Sequence, residues 1–181
     1  GAMDYWANVD AVLWFVEYVW PEIKRQISGI KFVIAGGNPS SEIKALTKDL
    51  DIIVTGRVND MRPFIAQAKC VVAPLQIARG IQNKVLEAMA LNRPVVSTSM
   101  AMEGINAPDS LFSQVHDEPI AFANACVELV ELFSVPKNSE QSDNNNRTWI
   151  ENNFTWQATL KPLGTLYDMP STDGVNKDAN I

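Results

Sequence analysis

The sequence predicts an α/β fold in which helices cover both faces of a parallel sheet. Short apolar runs rich in β-branched residues alternate along the chain with helical patterns, as in strand–helix–strand units. The apolar runs are continuous, which is expected of strands that are buried on both faces. The 181 residues suffice for one such domain with at most a small appendage.

The first predicted element is a helix. Apolar positions from Val9 to Ile23 form a broad stripe at helical spacing, and Asn8 or Asp10 is the expected cap. Pro21 interrupts the stripe, so we expect a kink or two short helices. A strand usually precedes a helix in this class of fold, and none precedes this one. The order suggests that the chain was cut from something longer and lacks the first strand of its domain.

Strands and helices then alternate as far as residue 133. The predicted strands are 31–35, 52–55, 70–73, 93–98 and a short 111–115, and the predicted helices are 41–48, 61–68, 83–91 and 118–133. Residues 136–146 are Asn-rich and predict a flexible loop, and 147–167 carry further helical pattern. The domain is therefore predicted to span 1–168, and the polar residues 169–181 to form a disordered tail.

Composition excludes several classes of function. The net charge of −6 disfavours a nucleic-acid partner, because such binding depends on neutralising phosphates. No apolar run reaches the roughly 20 residues that span a bilayer. Two cysteines and one histidine support neither a disulfide scaffold nor a zinc site, and we expect no metal. With no signal peptide visible, the default compartment is the cytoplasm.

Ligands of parallel sheets bind at the carboxyl ends of the strands. Here those ends are Gly36-Gly37-Asn38, Gly56-Arg57-Val58, 74–82 and 98–104. The dinucleotide motif GxGxxG and the phosphate-loop motif GxxxxGK[ST] are both absent. Asp49-Leu50-Asp51 matches the metal-binding DxD of some glycosyltransferases, but it precedes a strand, away from the binding edge. We interpret it as a solvated turn.

The segment 74–98 carries the most chemical information. It predicts a strand, a loop containing Gly80, a helix that starts near Asn83, and a second strand. The free N–H groups and the positive dipole end of such a helix suit a phosphate. Lys84 in the first turn could neutralise a diphosphate, and Glu87 on the same face could accept hydrogen bonds from a ribose diol. The alternative is an ordinary surface pair between Lys84 and Glu87, three residues apart.

At this point the sequence resembles a family. The run Gly80-xxx-Lys84-Val85-Leu86-Glu87-Ala88-Met89-Ala90, followed by Pro94-Val95-Val96, resembles the donor-site signature of glycosyltransferase family 4, also called group 1. The resemblance extends from about Lys31 to Ser99, and weakly to Trp156. It implies a retaining enzyme of the GT-B fold, in which two Rossmann-like domains enclose the active site. Residues 3–10 and 79–84 look most like a bacterial subgroup of exopolysaccharide sugar transferases.

The resemblance also implies roles for individual residues. Glu87 would bind the donor ribose, and the residues from Gly80 to Lys84, Ile81 included, would lie at the diphosphate and sugar. Arg57 and Val58 would flank the nucleobase, and Gly36 and Gly37 would line the cleft near the phosphates.

Two departures from the family pattern leave the catalytic residues unassigned. Arg79 stands where the family has the first Glu of its E-x7-E motif. The family's usual Arg and Lys pair is also missing from residues 3–16. Our hypothesis is that Arg79 and Lys84 supply that positive charge instead.

The implied function is that of the donor-binding half of a retaining glycosyltransferase. Such an enzyme transfers a sugar from a nucleotide-sugar to a glycan or lipid-linked acceptor, here in exopolysaccharide biosynthesis, with no cofactor. The acceptor-binding amino-terminal domain is missing, so we expect this half to be inactive alone. The full enzyme would contact a membrane only peripherally, at its inner face.

Two alternatives stay open. One is a domain of a related GT-B enzyme of the epimerase type, which would need both halves in one chain. The other is a non-enzymatic doubly wound binding module. A phosphoacceptor aspartate would mark a receiver-like module of this kind, but the third strand ends in Ala73-Pro74.

Overall fold

The computed structural model describes residues 1–108, 113–134 and 146–154. The strands of this part are β1 (Phe32–Ala35), β2 (Ile52–Gly56), β3 (Val71–Ala73), β4 (Val95–Ser97) and β5 (Ser113–Val115). Its α-helices are α1 (Trp6–Trp14), α2 (Trp20–Gln26), α3 (Ser41–Ala45), α4 (Arg62–Gln67), α5 (Asn83–Ala90), α6 (Pro119–Leu132) and α7 (Asn146–Phe154). The predicted alternation of strands and helices is confirmed.

All pairings between the named strands are parallel, as predicted. β1 pairs with β2, and β3, β4 and β5 pair in that order. The sequence predicts one sheet, whereas the described residues form two, because β1 is not hydrogen-bonded to β3.

The first three residues lie along the edge of β1 that faces away from β2. The amino group of Gly1 donates to the carbonyl of Ala35 at 3.2 Å, and the N–H of Met3 donates to that of Gly37 at 2.7 Å. Ala2 and Gly37 form a parallel bridge. An extended segment therefore precedes α1, although the sequence patterns show no strand there.

The first helical region differs in detail from its prediction. α1 begins at Trp6 without a side-chain cap, so Asn8 lies inside the helix and Asp10 is not the cap either. A π-helical turn, Phe15–Val19, joins α1 to α2, and the N–H of Trp20 donates to the carbonyl of Phe15. Pro21, at the start of α2, has no N–H to donate, and the wider turn accommodates it. The predicted interruption is therefore a π-turn.

Helices cover both faces of the sheet formed by β3, β4 and β5. Val95 and Val96 are adjacent in β4 and fully buried, and successive strand side chains point to opposite faces. Val96 belongs to a core with Phe15 and Phe122, which come from the π-turn and α6. Val95 belongs to a second core that includes Val85 of α5. The predicted arrangement of helices on both faces is confirmed.

Several predictions fall on residues outside the described part of the chain. They are residues 111 and 112 of the last predicted strand, the Asn-rich loop except for its last residue, residues 155–167 of the last helical pattern, and the tail 169–181. α7 covers the beginning of that pattern.

The Asp49-Leu50-Asp51 turn is held by lysines. Lys24 lies 3.0 Å from Asp49 and 2.9 Å from Asp51, and Lys31 lies 2.7 Å from Asp51. The indole N–H of Trp20 also donates to Asp49 at 3.1 Å. Both carboxylates therefore act within the fold, at the edge of the sheet opposite the predicted binding edge.

We expect Asp49 to contribute to the acid sensitivity of the fold. A hydrogen bond from the Asp51 N–H, followed by those from Lys24 and Trp20, lowers the Asp49 pKa from 3.8 to about 2. An aspartate with a lowered pKa stabilises the fold above its unfolded pKa, and this contribution is lost as the pH falls from about 4 towards 2. Asp49→Asn should have a lower melting temperature than wild type at pH 6. The difference between the two melting temperatures should be smaller at pH 2, in thermal unfolding recorded across this pH range. A constant difference at every pH would contradict this.

Candidate functional site

The loops at the carboxyl ends of the strands contain backbone turns that require a positive φ. Gly56, the last residue of β2, has φ 69°, Gly80 before α5 has φ 70°, and Gly104 after β4 has φ 76°. Gly80 is exposed, and its turn directs the chain into the first turn of α5. The helix predicted from 83 to 91 is thus confirmed in place, with its amino end at the predicted binding edge.

Lys84 in the first turn of α5 is held by an asparagine from the first turn of α1. Its Nζ donates to Asn8 Oδ1 at 2.7 Å, and Asn8 Nδ2 donates to the carbonyl of Ala2 at 2.9 Å. Burial lowers the Lys84 pKa. Among the described residues no ion pair joins Lys84 to Glu87, so the alternative of a simple surface pair is wrong.

Gly1 brings three of the predicted donor residues together. A Cβ on Gly36 would lie 1.9 Å from the Gly1 carbonyl oxygen, so the backbones touch there. Lys84 and Glu87 both lie close enough to Gly1 for their charges to act on it. Glu87 is exposed. We call Gly36, Lys84 and Glu87, together with Asn8, the Lys84 cluster.

Arg57 and Gly37 are also neighbours. A Cβ on Gly37 would lie 3.8 Å from the Cβ of Arg57, which is ordinary contact distance. Arg57 is exposed and Val58 is half-buried at the end of β2. The loops after β1 and β2 therefore meet at the carboxyl ends of these two paired parallel strands.

A groove of about 610 Å³ lies between the start of α1 and the loop after β3. It is lined by Tyr5, Trp6, Ala7, Asn8, Leu75, Ile77, Ala78, Arg79 and Gln82. We call it the Arg79 groove. Arg79 is exposed, whereas Leu75 is buried and forms part of the second core. Of the predicted donor residues, only Arg79 is among those that line the groove.

Ile81 faces the loop after β4 instead. A Cβ on Gly104 would lie 3.2 Å from Ile81 Cγ1. That loop is fixed to the β3 loop by Thr98, whose hydroxyl donates to the Leu75 carbonyl at 2.6 Å. The structure thus places eight of the nine predicted donor residues in four adjacent groups along one edge, not in one pocket, and Gly80 lies in the loop between Arg79 and Ile81.

The sequence patterns did not identify Asn8, Tyr5 or Trp6 as site residues. Asn8 was expected only as a helix cap, and 76 positions separate it from Lys84. Local spacing carries no signal for such a contact. Tyr5 and Trp6 are 54% and 55% exposed, and the sequence signal that could have marked the groove is a pair of adjacent aromatic residues ahead of the first apolar helical stripe.

Two classes of feature are missing from the described residues. They contain no group of three or more His, Cys, Asp or Glu side chains arranged to hold a metal ion. None of the helices in this part of the chain is long and apolar enough to cross a membrane.

Comparison with known proteins decides the family. The family profile described as "Glycosyl transferases group 1" matches residues 1–132. The chain belongs to the group 1 glycosyltransferases. The match includes both α1 and α5, and so covers the Lys84 cluster and the Arg79 groove. No curated relative matches the sequence.

Two solved structures of TarM share the fold of this group 1 chain. A crystal structure of TarM has a TM-score of 0.66 and 17% identity over 93% of the chain. A mutant of S. aureus TarM in complex with fondaparinux, alpha-GlcNAc-glycerol and UDP has a TM-score of 0.65 and 16% identity, also over 93%. The chain spans 34% of the length of each TarM chain. The likeness shows the GT-B type of fold that the sequence predicts.

Proposed function

We propose that this chain is the donor-binding half of a retaining glycosyltransferase that uses a nucleotide-sugar. The observation that carries the proposal is the Lys84 cluster. A largely buried ammonium group at the amino end of α5 is hydrogen-bonded to neutral Asn8 at 2.7 Å, so its charge is not neutralised there. Burying a charge without an ion pair costs stability, and such costs are typical of functional sites.

A diphosphate matches what the cluster offers. The ammonium group, the free N–H groups of the α5 amino end and the positive end of the helix dipole all favour an anion at the same place. Gly36 lies beneath Gly1, whose carbonyl oxygen would be 1.9 Å from a Cβ at position 36, so Gly36 borders this place through the Gly1–Met3 segment. Lys84 would therefore bind the diphosphate, with Gly36 beneath the Gly1–Met3 segment and with Gly80 and Ile81 in the loop above α5 close to it.

The remaining donor residues suit a nucleoside. Glu87 is exposed one turn further along α5, where its carboxylate can accept two hydrogen bonds from a ribose diol. Arg57 and Val58, with Gly37 beside them, would contact the nucleobase. The complex of S. aureus TarM with UDP supports a nucleotide ligand for this fold.

The other parts of the proposal concern the complete enzyme. The chain would be joined to an acceptor-binding domain, and it would transfer the sugar to a glycan or lipid-linked acceptor in exopolysaccharide biosynthesis. Its location would be the cytoplasm, at the inner face of the membrane, and it would need no cofactor. We further propose that a strand preceding Gly1 continues the Gly1–Met3 segment along β1.

Titration with nucleotides tests the proposal. UDP, GDP, ADP and CMP would be titrated into the chain by calorimetry or NMR, and we expect one of them to bind. Glu87→Ala should weaken that binding at least tenfold, about 1.4 kcal/mol, because it removes two charge-assisted hydrogen bonds. Glu131→Ala, an exposed position on α6, is the matched control and should bind as wild type does.

Two outcomes would overturn the donor site. One is binding that is equal in wild type and Glu87→Ala. The other is no binding of any nucleotide by the folded chain and none by the complete polypeptide. An epimerase-type GT-B enzyme would also bind a nucleotide-sugar, but the complete polypeptide would convert it to its epimer without an acceptor.

A further inference from the structure

The Arg79 groove adjoins the Lys84 cluster without being part of it. Asn8 lines the groove and also accepts the hydrogen bond from Lys84, so it stands between the two. Lys84 and Glu87 do not line the groove. A group covalently attached to a diphosphate at Lys84 would therefore reach the groove past Asn8.

The lining of the groove is positive in a chain whose net charge is negative. The net charge of the chain is −6, yet none of the nine described residues that line the groove is acidic. Arg79 is the cationic one among them, and no described residue forms a hydrogen bond or ion pair with its guanidinium. The side-chain amides of Asn8 and Gln82 each donate one N–H to a backbone carbonyl and retain a second N–H as a donor.

The remaining walls suit the face of a ring. Tyr5 and Trp6 expose about half of their surface, and their rings lie 6.1 Å apart at an interplanar angle of 56°. Ile77 is 48% exposed on the side formed by the loop after β3. Aromatic and aliphatic surface beside a few polar groups is typical of a small-molecule subsite.

We propose that the Arg79 groove receives the sugar of the donor and that this sugar carries a carboxylate, so that the donor is a nucleotide-linked hexuronic acid. The proposal rests on the proposed function, because it places the diphosphate at Lys84. The sugar ring would lie against Trp6, and Arg79 would bind the carboxylate. The planar guanidinium fork matches two carboxylate oxygens at once, which a neutral hydroxymethyl group does not offer.

The test compares an acidic and a neutral sugar on the same nucleotide. For a protein that binds UDP, the ligands are UDP, UDP-glucose and UDP-glucuronate, and for GDP they are GDP, GDP-mannose and GDP-mannuronate. We expect the uronate to bind at least fivefold more tightly than the neutral sugar. Arg79→Gln should reduce that ratio to about one and should weaken binding of the uronate more than binding of the free nucleotide.

Two further variants separate the groove from general effects. Trp6→Ala should reduce the affinity for both sugar nucleotides at least threefold relative to the affinity for the free nucleotide, because it removes one wall of the groove. Arg25→Gln removes a positive charge from α2, where Arg25 pairs with Glu22, and should leave every affinity unchanged.

Each contrary result has a definite meaning. Equal binding of both sugars by wild type would overturn the proposal while leaving the nucleotide site intact. If Arg79→Gln reduced the affinity for UDP as much as the affinity for UDP-glucuronate, Arg79 would bind the diphosphate and the proposal would again fail. If no nucleotide bound to the complete polypeptide, the proposed function would fail, and this proposal with it.

Discussion

Gly36→Ala is expected to lower the free energy of unfolding by about 2–3 kcal/mol, through overpacking and lost hydrogen bonds. The new Cβ would lie 1.9 Å from the Gly1 carbonyl oxygen and 2.9 Å from Met3 Cγ. The first contact is with backbone, which can yield only if the segment moves off β1. Such a movement breaks the hydrogen bonds from Gly1 to Ala35 and from Met3 to Gly37. Urea unfolding followed by tryptophan fluorescence measures the loss.

Gly37→Ala is the matched control for this substitution. It changes the next residue in the same loop, but its Cβ would lie 3.8 Å from Arg57 Cβ, and neither glycine needs a positive φ. We expect its unfolding free energy to stay within about 0.5 kcal/mol of wild type. Equal losses of unfolding free energy in the two variants would show that contact with Gly1 is not the reason why position 36 requires glycine.

The sequence predicted those parts of the fold that local patterns determine. The apolar runs of β1, β2 and β3 and the periodic helix α5 lie within a residue or two of their predicted bounds. The extended segment Gly1–Met3 was missed, because three residues are too few to show alternation and the pairing depends on β1. The division into two sheets was missed for a related reason. Strand order depends on contacts between residues that are far apart in the sequence. The apolar pattern of each strand is the same whether the strands form one sheet or two, so the pattern cannot distinguish these arrangements.

The residues of the candidate site also divide into those that local sequence patterns identify and those that only long-range contacts reveal. Gly80, Lys84 and Glu87 could be identified because one loop and one helix carry them, and helical spacing fixes their common face. Asn8 could not be identified as the partner of Lys84, since their contact depends on how α1 packs beside α5. Arg79 was singled out by a departure from a family pattern, but only the structure places it in a groove with Trp6.

Lys84→Met is expected to separate binding from stability. The substitution removes a largely buried charge but leaves Asn8 Oδ1 without its donor, and these effects oppose each other. We therefore expect unfolding free energy within about 1 kcal/mol of wild type, together with nucleotide affinity reduced at least tenfold by the loss of the diphosphate's cation. Calorimetric titration and urea unfolding of the same sample give both values. A fall in stability with unchanged affinity would contradict a role for Lys84 in binding.

Substitutions of Asn8 test whether a neutral partner keeps the charge of Lys84 available. Asn8→Ala and Asn8→Asp both lose the N–H that donates to the Ala2 carbonyl. The two variants therefore differ only in the group that faces the Lys84 ammonium, and comparing them isolates the effect of that group on nucleotide binding. Alanine removes an acceptor that favours the charged form, which lowers the Lys84 pKa further, whereas aspartate raises it. The alkaline limit of nucleotide binding should thus move to lower pH in Asn8→Ala and to higher pH in Asn8→Asp. At pH 7 aspartate should weaken binding more than alanine does, because it neutralises the ammonium and repels the diphosphate.

Asn124→Asp on α6 controls for the added charge. Identical pH profiles of nucleotide binding in the two Asn8 variants would show that Asn8 only supports the fold.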